Sequence, residues 1–389
     1  MTDLSLSIRW HRSASEIPAT AWATCFPPPL EGLWWYLALE RSGLDDQFKF
    51  AYATLHREDI IVGVAPTFIM DMSFRMVVPD GIWPWVKWLG CVHRGLLAQR
   101  VLFVGSPCSE HGTVGLSQGT SLKDVLPPLQ SALDARAHEA GARMVGWKDI
   151  AEPTAKVVRT FAAQAGLFEV MSFPGTVLHI PEPSYESYLQ GLPGRRRYKV
   201  KKRVAASRAA VRLRVEHLKT PDAGTLTEIY RLYLLNYNRA SIRFEKLTEA
   251  FFREIAESEP ARFLLLIDED TGTPVAFMLY FMIGDCAINK FIGIDLDSYP
   301  EAYLYFRLWQ EFLIRATCLG ATDVSSGQTA YRAKFDLGHQ LVPLVNFSKH
   351  FNPVLHRIYA AVGDRVTLAT LDPDLRTALE ARRPVGGAV

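Results

Sequence analysis

Cysteine is scarce in this sequence, and its few copies follow no pairing pattern. The 389 residues contain five cysteines, each far from the others: Cys25, Cys91, Cys108, Cys286 and Cys318. None of them forms a C-x-x-C pair, and the total is odd. The pattern therefore favours a reducing compartment over a disulfide framework or a cysteine-based zinc site.

Long apolar runs and a large net charge are also absent. No run reaches membrane-spanning length, and residues 1–10 lack a basic region followed by an apolar core, so we expect no stable membrane insertion, no signal peptide and a cytoplasmic location. A net charge of +2 argues against a dedicated nucleic-acid coat. With 49% hydrophobic and 22% charged residues, the chain has the composition of a soluble globular protein, and its length favours two domains.

The cations that are present concentrate in one stretch, Leu192–Arg212. A Pro-Gly start and several alanines predict a helix over 194–212, which carries the basic residues Arg195, Arg196, Arg197, Lys199, Lys201, Lys202, Arg203, Arg208 and Arg212. Side-chain charges and helix N–H groups together favour a bound anion. A solvated basic face is the alternative.

Tryptophans crowd a second stretch, with Trp83, Trp85 and Trp88 within 81–90. An interfacial membrane segment has this composition. We favour a tryptophan-rich lid or packed loop, because aromatic side chains bury large areas in ordinary cores.

Three short sequence anchors occur twice and in the same order. A β-rich run, a strand that ends at glycine, and a helix that ends at glycine before a strand recur as Ile60–Phe68 and Thr273–Tyr280, Phe103–Gly105 and Phe291–Gly293, and Ala137–Val145 and Ala316–Val324. Long amphipathic helices over 121–140 and 301–319 lead to the third anchor. The repeat predicts an α+β half built twice, with domains at 1–178 and 179–389.

Several motifs of the second half resemble one protein family. They are Leu192-Pro-Gly-Arg-Arg-Arg197, Pro274-Val-Ala-Phe277, Phe291-Ile-Gly-Ile-Asp295 and Gly327-Gln-Thr-Ala-Tyr-Arg-Ala-Lys-Phe335. With the tandem halves, they resemble the FemAB-like branch of the GNAT N-acyltransferase superfamily. The likeness covers 180–360 clearly and 1–175 by pattern alone.

The resemblance implies two GNAT-like domains, each a mixed, mainly antiparallel sheet flanked by helices. It implies transfer of an activated acyl or aminoacyl group to an amine of a small-molecule or peptide acceptor, with the donor site in the second domain and the acceptor cleft in the first. Acyl-CoA or aminoacyl-tRNA would be a co-substrate, so no cofactor is expected to stay bound and no metal is required. The alternatives are a tRNA-dependent peptidoglycan-precursor transferase and a non-catalytic module that binds an anionic ligand.

Two features of the family are missing here. Residues 294–303 lack the glycines with which acetyl-CoA-dependent GNAT enzymes cradle a pyrophosphate, and they contain two aspartates instead. The second half also lacks the long helical hairpin that some cell-wall members carry. The first absence favours the binding module, and the second weakens a peptidoglycan role.

Acyl transfer needs stabilisation of an oxyanion and movement of protons. Lys334 matches the family's lysine at the edge of the donor site and is predicted to stabilise a donor phosphate or the oxyanion. Arg332, on an expected strand, would point to the same side. Tyr331 could donate a proton or lie in the core, and Gln328, in the same motif, is a predicted donor-binding residue.

The central strand supplies further candidates. Asn289 is expected to hold the acyl carbonyl or the acceptor amine, unless it is a satisfied ladder residue. Gly293 would let the donor approach the backbone. Asp295 could orient or deprotonate the acceptor ammonium, or cap the next helix, and Tyr303 could be a general acid or a core residue.

The basic helix is predicted to hold an anionic part of the donor or acceptor. Its predicted binding residues are Arg195, Arg196, Tyr198 and Arg203. This role predicts an affinity for substrate that falls as salt rises.

Overall fold

The computed structural model describes residues 6–73, 98–240 and 243–382, and the tryptophan-rich stretch Trp83–Trp88 lies outside these ranges. In chain order the strands are β1 (Leu6–His11), β2 (Lys49–Arg57), β3 (Ile60–Ser73), β4 (Ala98–Val104), β5 (Gly115–Leu116), β6 (Met144–Ala151), β7 (Phe168–Met171), β8 (Gly175–His179), β9 (Leu213–Leu218), β10 (Ala261–Asp268), β11 (Pro274–Ile283), β12 (Cys286–Ile294), β13 (Asp323–Ser325), β14 (Gln340–Val342) and β15 (Leu344–His350).

The helices of the described chain are α1 (Ala19–Cys25), α2 (Leu33–Arg41), α3 (Leu122–Glu139), α4 (Thr154–Ala165), α5 (Tyr185–Gly191), α6 (Gly194–Ala210), α7 (Ala223–Arg239), α8 (Glu249–Ala256), α9 (Leu304–Cys318), α10 (Tyr331–Asp336), α11 (Pro353–Gly363), α12 (Leu368–Leu371) and α13 (Pro373–Arg382). None of these helices is both long enough and apolar enough to cross a membrane. The elements form two compact units, unit 1 with 1–27, 45–175 and 342–389, and unit 2 with 28–44 and 176–341.

Unit 1 is built on a sheet in the order β1-β2-β3-β4-β6-β15-β7, with β5 paired to β3. Strands β4 and β6 are parallel, and their ladder ends at Val104 and Trp147. Helix α3 covers this sheet with the fully buried residues Val125, Leu129 and Leu133. The spacing of these residues puts them on one side of the helix, as the amphipathic pattern predicts.

Unit 2 is built on a sheet in the order β14-β8-β13-β12-β11-β10-β9. Strands β12 and β13 are parallel, whereas β9 to β12 pair antiparallel along the sheet. Helix α9 packs on one face with Leu304, Leu308, Phe312 and Ala316, all fully buried. The predicted fold class, two mixed, mainly antiparallel sheets flanked by helices, is confirmed.

Both long helices end at a left-handed glycine, as the third anchor predicts. Gly141 after α3 has φ +68 and Gly320 after α9 has φ +92. In each unit the chain then enters a strand that is parallel to a central strand. The repeated sequence pattern is therefore a repeated structural connection.

The two units are discontinuous, whereas the sequence predicts contiguous domains at 1–178 and 179–389. Segment 28–44 belongs to unit 2, where Trp34 and Trp35 pack against Phe281. Segment 342–389 belongs to unit 1, because β15 inserts between β6 and β7 and buries Phe347 in that core. Each segment joins a unit that is distant in sequence because aromatic side chains of the segment are buried in that unit.

Candidate functional site

The ladder between the parallel strands β12 and β13 of unit 2 is short, and the region just beyond its end is the candidate site. The ladder between β12 and β13 covers three residue pairs and ends at Ile288 and Ser325. Beyond it β12 continues to Ile294, while the chain after β13 turns into the loop 326–330. We call the region between residues 289–291 and 326–328 the strand split. Polar backbone at the carboxyl ends of parallel strands is a common place for ligands in α/β sheets.

Helix α7 bonds the backbone of β12 just beyond the strand split. The Asn236 side chain donates to the Ile292 carbonyl at 3.0 Å and accepts from the Ile294 N–H at 3.2 Å. These bonds satisfy the backbone of β12 where β13 no longer does so. Gly293 lies between them, and a Cβ there would come within 2.5 Å of the Leu232 backbone and the Phe277 ring. The predicted close approach at Gly293 is thus made by helix α7 of the protein itself.

A β-bulge lies in β12 at the strand split. Leu279 of β11 pairs with Phe291 and Tyr280 pairs with Asn289, so Lys290 is the extra residue. A bulge bends its strand and re-aims the neighbouring side chains. Asn289, a predicted catalytic residue, is buried at this position.

The segment that carries Lys334 is helix α10, and the strand expected there is wrong. On a helix, residues two apart do not share a side, so Arg332 is exposed whereas Lys334 is buried. The cationic pair predicted from a strand does not form. A run of only six residues carries too little periodicity to separate helix from strand.

The ammonium of Lys334 is held by the loop after β13. Its Nζ donates to the Ser326 carbonyl, to the Gly327 carbonyl at 3.1 Å and to the Gln328 carbonyl at 2.9 Å. An ammonium has three N–H donors, so these bonds use all of them. Tyr331, a predicted proton donor, is fully buried and stacks on Phe335. This position agrees with the alternative prediction that Tyr331 is a core residue.

His339 also bonds the start of this loop. Its Nδ1 lies 3.1 Å from the Lys334 carbonyl and its Nε2 lies 3.1 Å from Ser326 Oγ. A carbonyl only accepts, so Nδ1 carries the proton and Nε2 accepts from the serine hydroxyl. Burial, reinforced by the charge of Lys334, lowers the pKa of His339 to about 3. The imidazole is therefore neutral at physiological pH.

The loop itself is conformationally strained. Gly327, Thr329 and Ala330 have φ values of +57, +63 and +50, and the latter two are unfavourable for residues with a Cβ. Nε2 of Gln328 is buried and has no hydrogen-bond partner among the described residues. A buried amide donor without a partner is costly, and a ligand carbonyl would satisfy it.

The turn before helix α9 differs from a phosphate cradle. Asp295 accepts from the Ser298 N–H at 3.0 Å and from its hydroxyl at 2.9 Å, so it stabilises a turn well ahead of the helix. Asp297 pairs with Arg239 at 2.6 Å. Tyr303, at the helix start, is 45% exposed with φ +46, which excludes the core role. Residues 294–303 therefore place two bonded carboxylates ahead of helix α9 and supply no glycine cradle for an anion.

The basic helix α6 has an internally bonded side and an exposed side. Lys199 Nζ and Arg203 lie 2.5 and 3.1 Å from Asp336 Oδ2, and the Arg203 guanidinium lies 4.4 Å from the Phe306 ring centre. Five cations and one aromatic residue of the helix are exposed: Arg195, Arg196, Tyr198, Lys201, Lys202 and Arg208. Of these, Arg208 donates to Gln310 Oε1 at 3.2 Å. Arg203 is thus tied to unit 2, whereas the other three predicted binding residues of the helix face solvent.

A small pocket lies at the start of helix α6. Its volume is about 190 Å³, and its lining is mostly apolar with Arg196, His179, Ser187 and Gln340 as polar members. Tyr188, also in the lining, donates to the Leu337 carbonyl at 3.0 Å. The run of basic residues in the sequence predicted Arg196 as a binding residue. Nothing in the sequence indicated that His179 or Gln340 would line a pocket.

The sequence also gave no indication of two partners near the strand split. Glu31 pairs with Lys290 from a position 259 residues earlier in the chain, and Ser326 is bonded by His339. Such pairings depend on tertiary structure, so spacing could not reveal them. Among residues 6–73, 98–240 and 243–382, no cluster of three His, Cys, Asp or Glu could hold a metal ion.

The fold of the chain is that of a tandem GNAT protein. FemX has a TM-score of 0.60 and 12% identity over 91% of this chain and 100% of its own. A tandem GNAT protein from the clavulanic acid biosynthesis pathway has a TM-score of 0.52 and 10% identity over 90% and 99%. A conserved protein from Bacteroides thetaiotaomicron has a TM-score of 0.53 and 12% identity over 88% and 99%.

The family match agrees with this fold. Residues 118–296 match the FemAB-like family model, whose description is peptidoglycan biosynthesis/recognition. No curated protein sequence matches the chain significantly. The likeness to the FemAB-like branch of the GNAT superfamily, predicted from the sequence, is thereby confirmed.

Proposed function

We propose that the protein is an N-acyltransferase that moves an activated acyl or aminoacyl group to an amine at the strand split of unit 2. This proposal is carried by the early end of the β12–β13 ladder, next to Asn289 and to Gln328, whose buried Nε2 has no hydrogen-bond partner within the described part of the chain. The family match and the tandem GNAT fold support an acyl or aminoacyl transferase in general. The description of the family supports a peptide or small-molecule amine as acceptor.

The reaction joins the amine nitrogen to the acyl carbon. The nitrogen lone pair attacks the carbonyl, a C–N bond forms, and the C–S or C–O bond to the donor breaks with a proton passing to the leaving group. The carbonyl oxygen gains negative charge on the way, so fixed N–H donors accelerate the step. The amides of Asn289 and Gln328 are the side-chain donors proposed for this oxygen.

Lys334 is proposed to position the loop that carries Gln328. All three of its donors are bound to loop carbonyls, which leaves none for a donor phosphate. His339 holds Ser326 at the start of the same loop. The role proposed here for Lys334 is therefore orientation of the site.

The anionic part of the donor is proposed to lie on the exposed cations of helix α6. The start of α9, with Asp295 and Asp297 ahead of it, offers no glycine cradle. Arg195, Arg196 and Tyr198 offer charge and a stacking surface instead. Acyl-CoA and aminoacyl-tRNA both present such an anion.

The test is mass spectrometry of products formed from candidate donors and amines, with and without ribonuclease. We expect a product heavier than the amine by one acyl group, and at least about a tenfold loss of turnover in Asn289→Ala. Loss of activity with ribonuclease selects aminoacyl-tRNA, and its retention selects acyl-CoA. Absence of product from every donor contradicts the proposal.

A non-catalytic module for an anionic ligand is the second candidate. The missing cradle before α9 favours it. Saturable, salt-sensitive binding of a donor without any product would select this candidate over the transferase.

A further inference from the structure

A buried ion pair lies at the bulge of β12. Nζ of Lys290 is 2.6 Å from Oε1 of Glu31, and the two side chains are 3% and 9% exposed. Glu31 comes from segment 28–44 of unit 2. An ammonium this deeply buried is strongly unfavourable without a counter-charge, so the carboxylate permits Lys290 to remain inside.

An aromatic cluster fixes the position of this pair. Lys290 Nζ lies 4.8 Å from the ring centre of Trp35, which is fully buried. Trp35 in turn makes edge contacts with Phe281 and Phe251, each at 5.9 Å between ring centres. The Glu31 carboxylate and the Trp35 ring face are therefore two of the contacts that hold the far end of the Lys290 side chain.

The ion pair acts on the strand split through the backbone. Lys290 is the extra residue of the bulge, and Asn289 is its immediate neighbour. In a regular ladder Lys290 would pair with β11, and the later side chains of β12 would turn to the opposite face. An anchored ammonium favours the bulged register, and this register sets the direction of Asn289 relative to the β12 side chains that follow Lys290.

We infer that Glu31 is a positioning residue for acyl transfer, acting through Lys290 on the bulge of β12. The inference rests on the proposed function of unit 2. Glu31 holds the register of the strand and takes no part in proton transfer. Its contribution depends on charge balance at the bulge, since a neutral pair of similar volume leaves no charge buried alone.

Three variants of the full chain test this role: Glu31→Gln, Lys290→Met and the double variant. We expect each single variant to lose about tenfold or more in kcat, with a smaller change in KM. The double variant should recover to within about threefold of the wild-type kcat, because neither charge remains unpaired. A double variant as inactive as Glu31→Gln, beside an active Lys290→Met, would make Glu31 a proton acceptor and overturn the inference.

Hydrogen exchange supplies a readout that needs no substrate. Peptides over 286–294 should exchange about tenfold faster in Glu31→Gln than in the wild type, and return toward wild type in the double variant. Asp71→Asn, which breaks an exposed pair with Arg100 in unit 1, should leave these peptides unchanged. Unchanged exchange in Glu31→Gln overturns the inference even if the enzyme is active. A wild-type protein that transfers no acyl group contradicts the proposed function, while the exchange result still decides the role of Glu31.

Discussion

Replacing Lys334 with methionine tests how the loop beside the strand split is held. The substitution keeps the apolar stem and removes the ammonium that bonds three carbonyls, those of Ser326, Gly327 and Gln328. Hydrogen bonds to a charged group contribute about 1.5–3 kcal/mol each, but removing the lysine also removes the cost of burying its charge. We therefore expect a net loss of about 3–5 kcal/mol in the free energy of unfolding of unit 2.

This loss should be visible in two measurements. For a folding unit of this size, about 1 kcal/mol corresponds to 2–4 °C, so calorimetry should show a transition lower by about 6–20 °C. Peptides that contain the loop 326–330 should exchange their amide hydrogens faster, and turnover should fall with them. Lys202→Met, which removes an exposed lysine of α6, is the matched control and should change the stability by about 0.5 kcal/mol at most.

The outcome separates two roles for this lysine. If Lys334→Met kept the wild-type melting temperature and loop exchange but lost turnover, the ammonium would act on the substrate directly. If stability and turnover were both unchanged, the three bonds to the loop would have no part in the site, and Lys334 would not be a positioning residue.

Three further outcomes are expected. The pKa of His339 is lowered to about 3, below its unfolded value near 6.5, so the unfolded chain takes up a proton first as the pH falls. Unit 2 should therefore lose about 2 kcal/mol between pH 6.5 and 5, and His339→Gln, followed by urea unfolding at each pH, should lack this part of the pH dependence. The double variant Arg195→Ala/Arg196→Ala should raise the KM for the donor about three- to tenfold at low salt and less at high salt. The control Arg365→Ala, at another exposed arginine, should leave this KM unchanged. An equal rise in KM at all salt concentrations would exclude an electrostatic role for Arg195 and Arg196. Gln328→Ala should lower kcat about tenfold or more without loss of stability, and unchanged turnover would exclude its amide as an oxyanion donor.

Local signals in the sequence were sufficient to predict the tandem fold. Leu304, Leu308, Phe312 and Ala316 recur every four residues, a spacing that places apolar side chains on one face only in a helix. Gly320 then marks the end of this helix. The discontinuous packing could not be predicted in this way. Trp35 signals burial, but its partners Phe251 and Phe281 lie more than two hundred residues later in the chain.

The candidate site was predicted in part, for a related reason. Asn289 stands out because a polar residue in an apolar strand needs a partner. Lys334 stands out through its motif, yet the direction of its ammonium depends on how the loop after β13 folds. Glu31 carries no local signal at all, since an acidic residue before a short helix is ordinary on a protein surface.

The basic helix illustrates what a charge run can and cannot indicate. From composition alone, Lys199, Arg203 and Arg195 are equivalent cations, but in the structure they have different partners. Asp336 and the Phe306 ring take up the charge of the first two, which makes them part of the packing between α6, α9 and α10. Arg195 and Arg196 face solvent on the same helix. Because a salt bridge inside the unit already uses Lys199 and Arg203, any salt-dependent affinity for a donor must come from the residues of the exposed side.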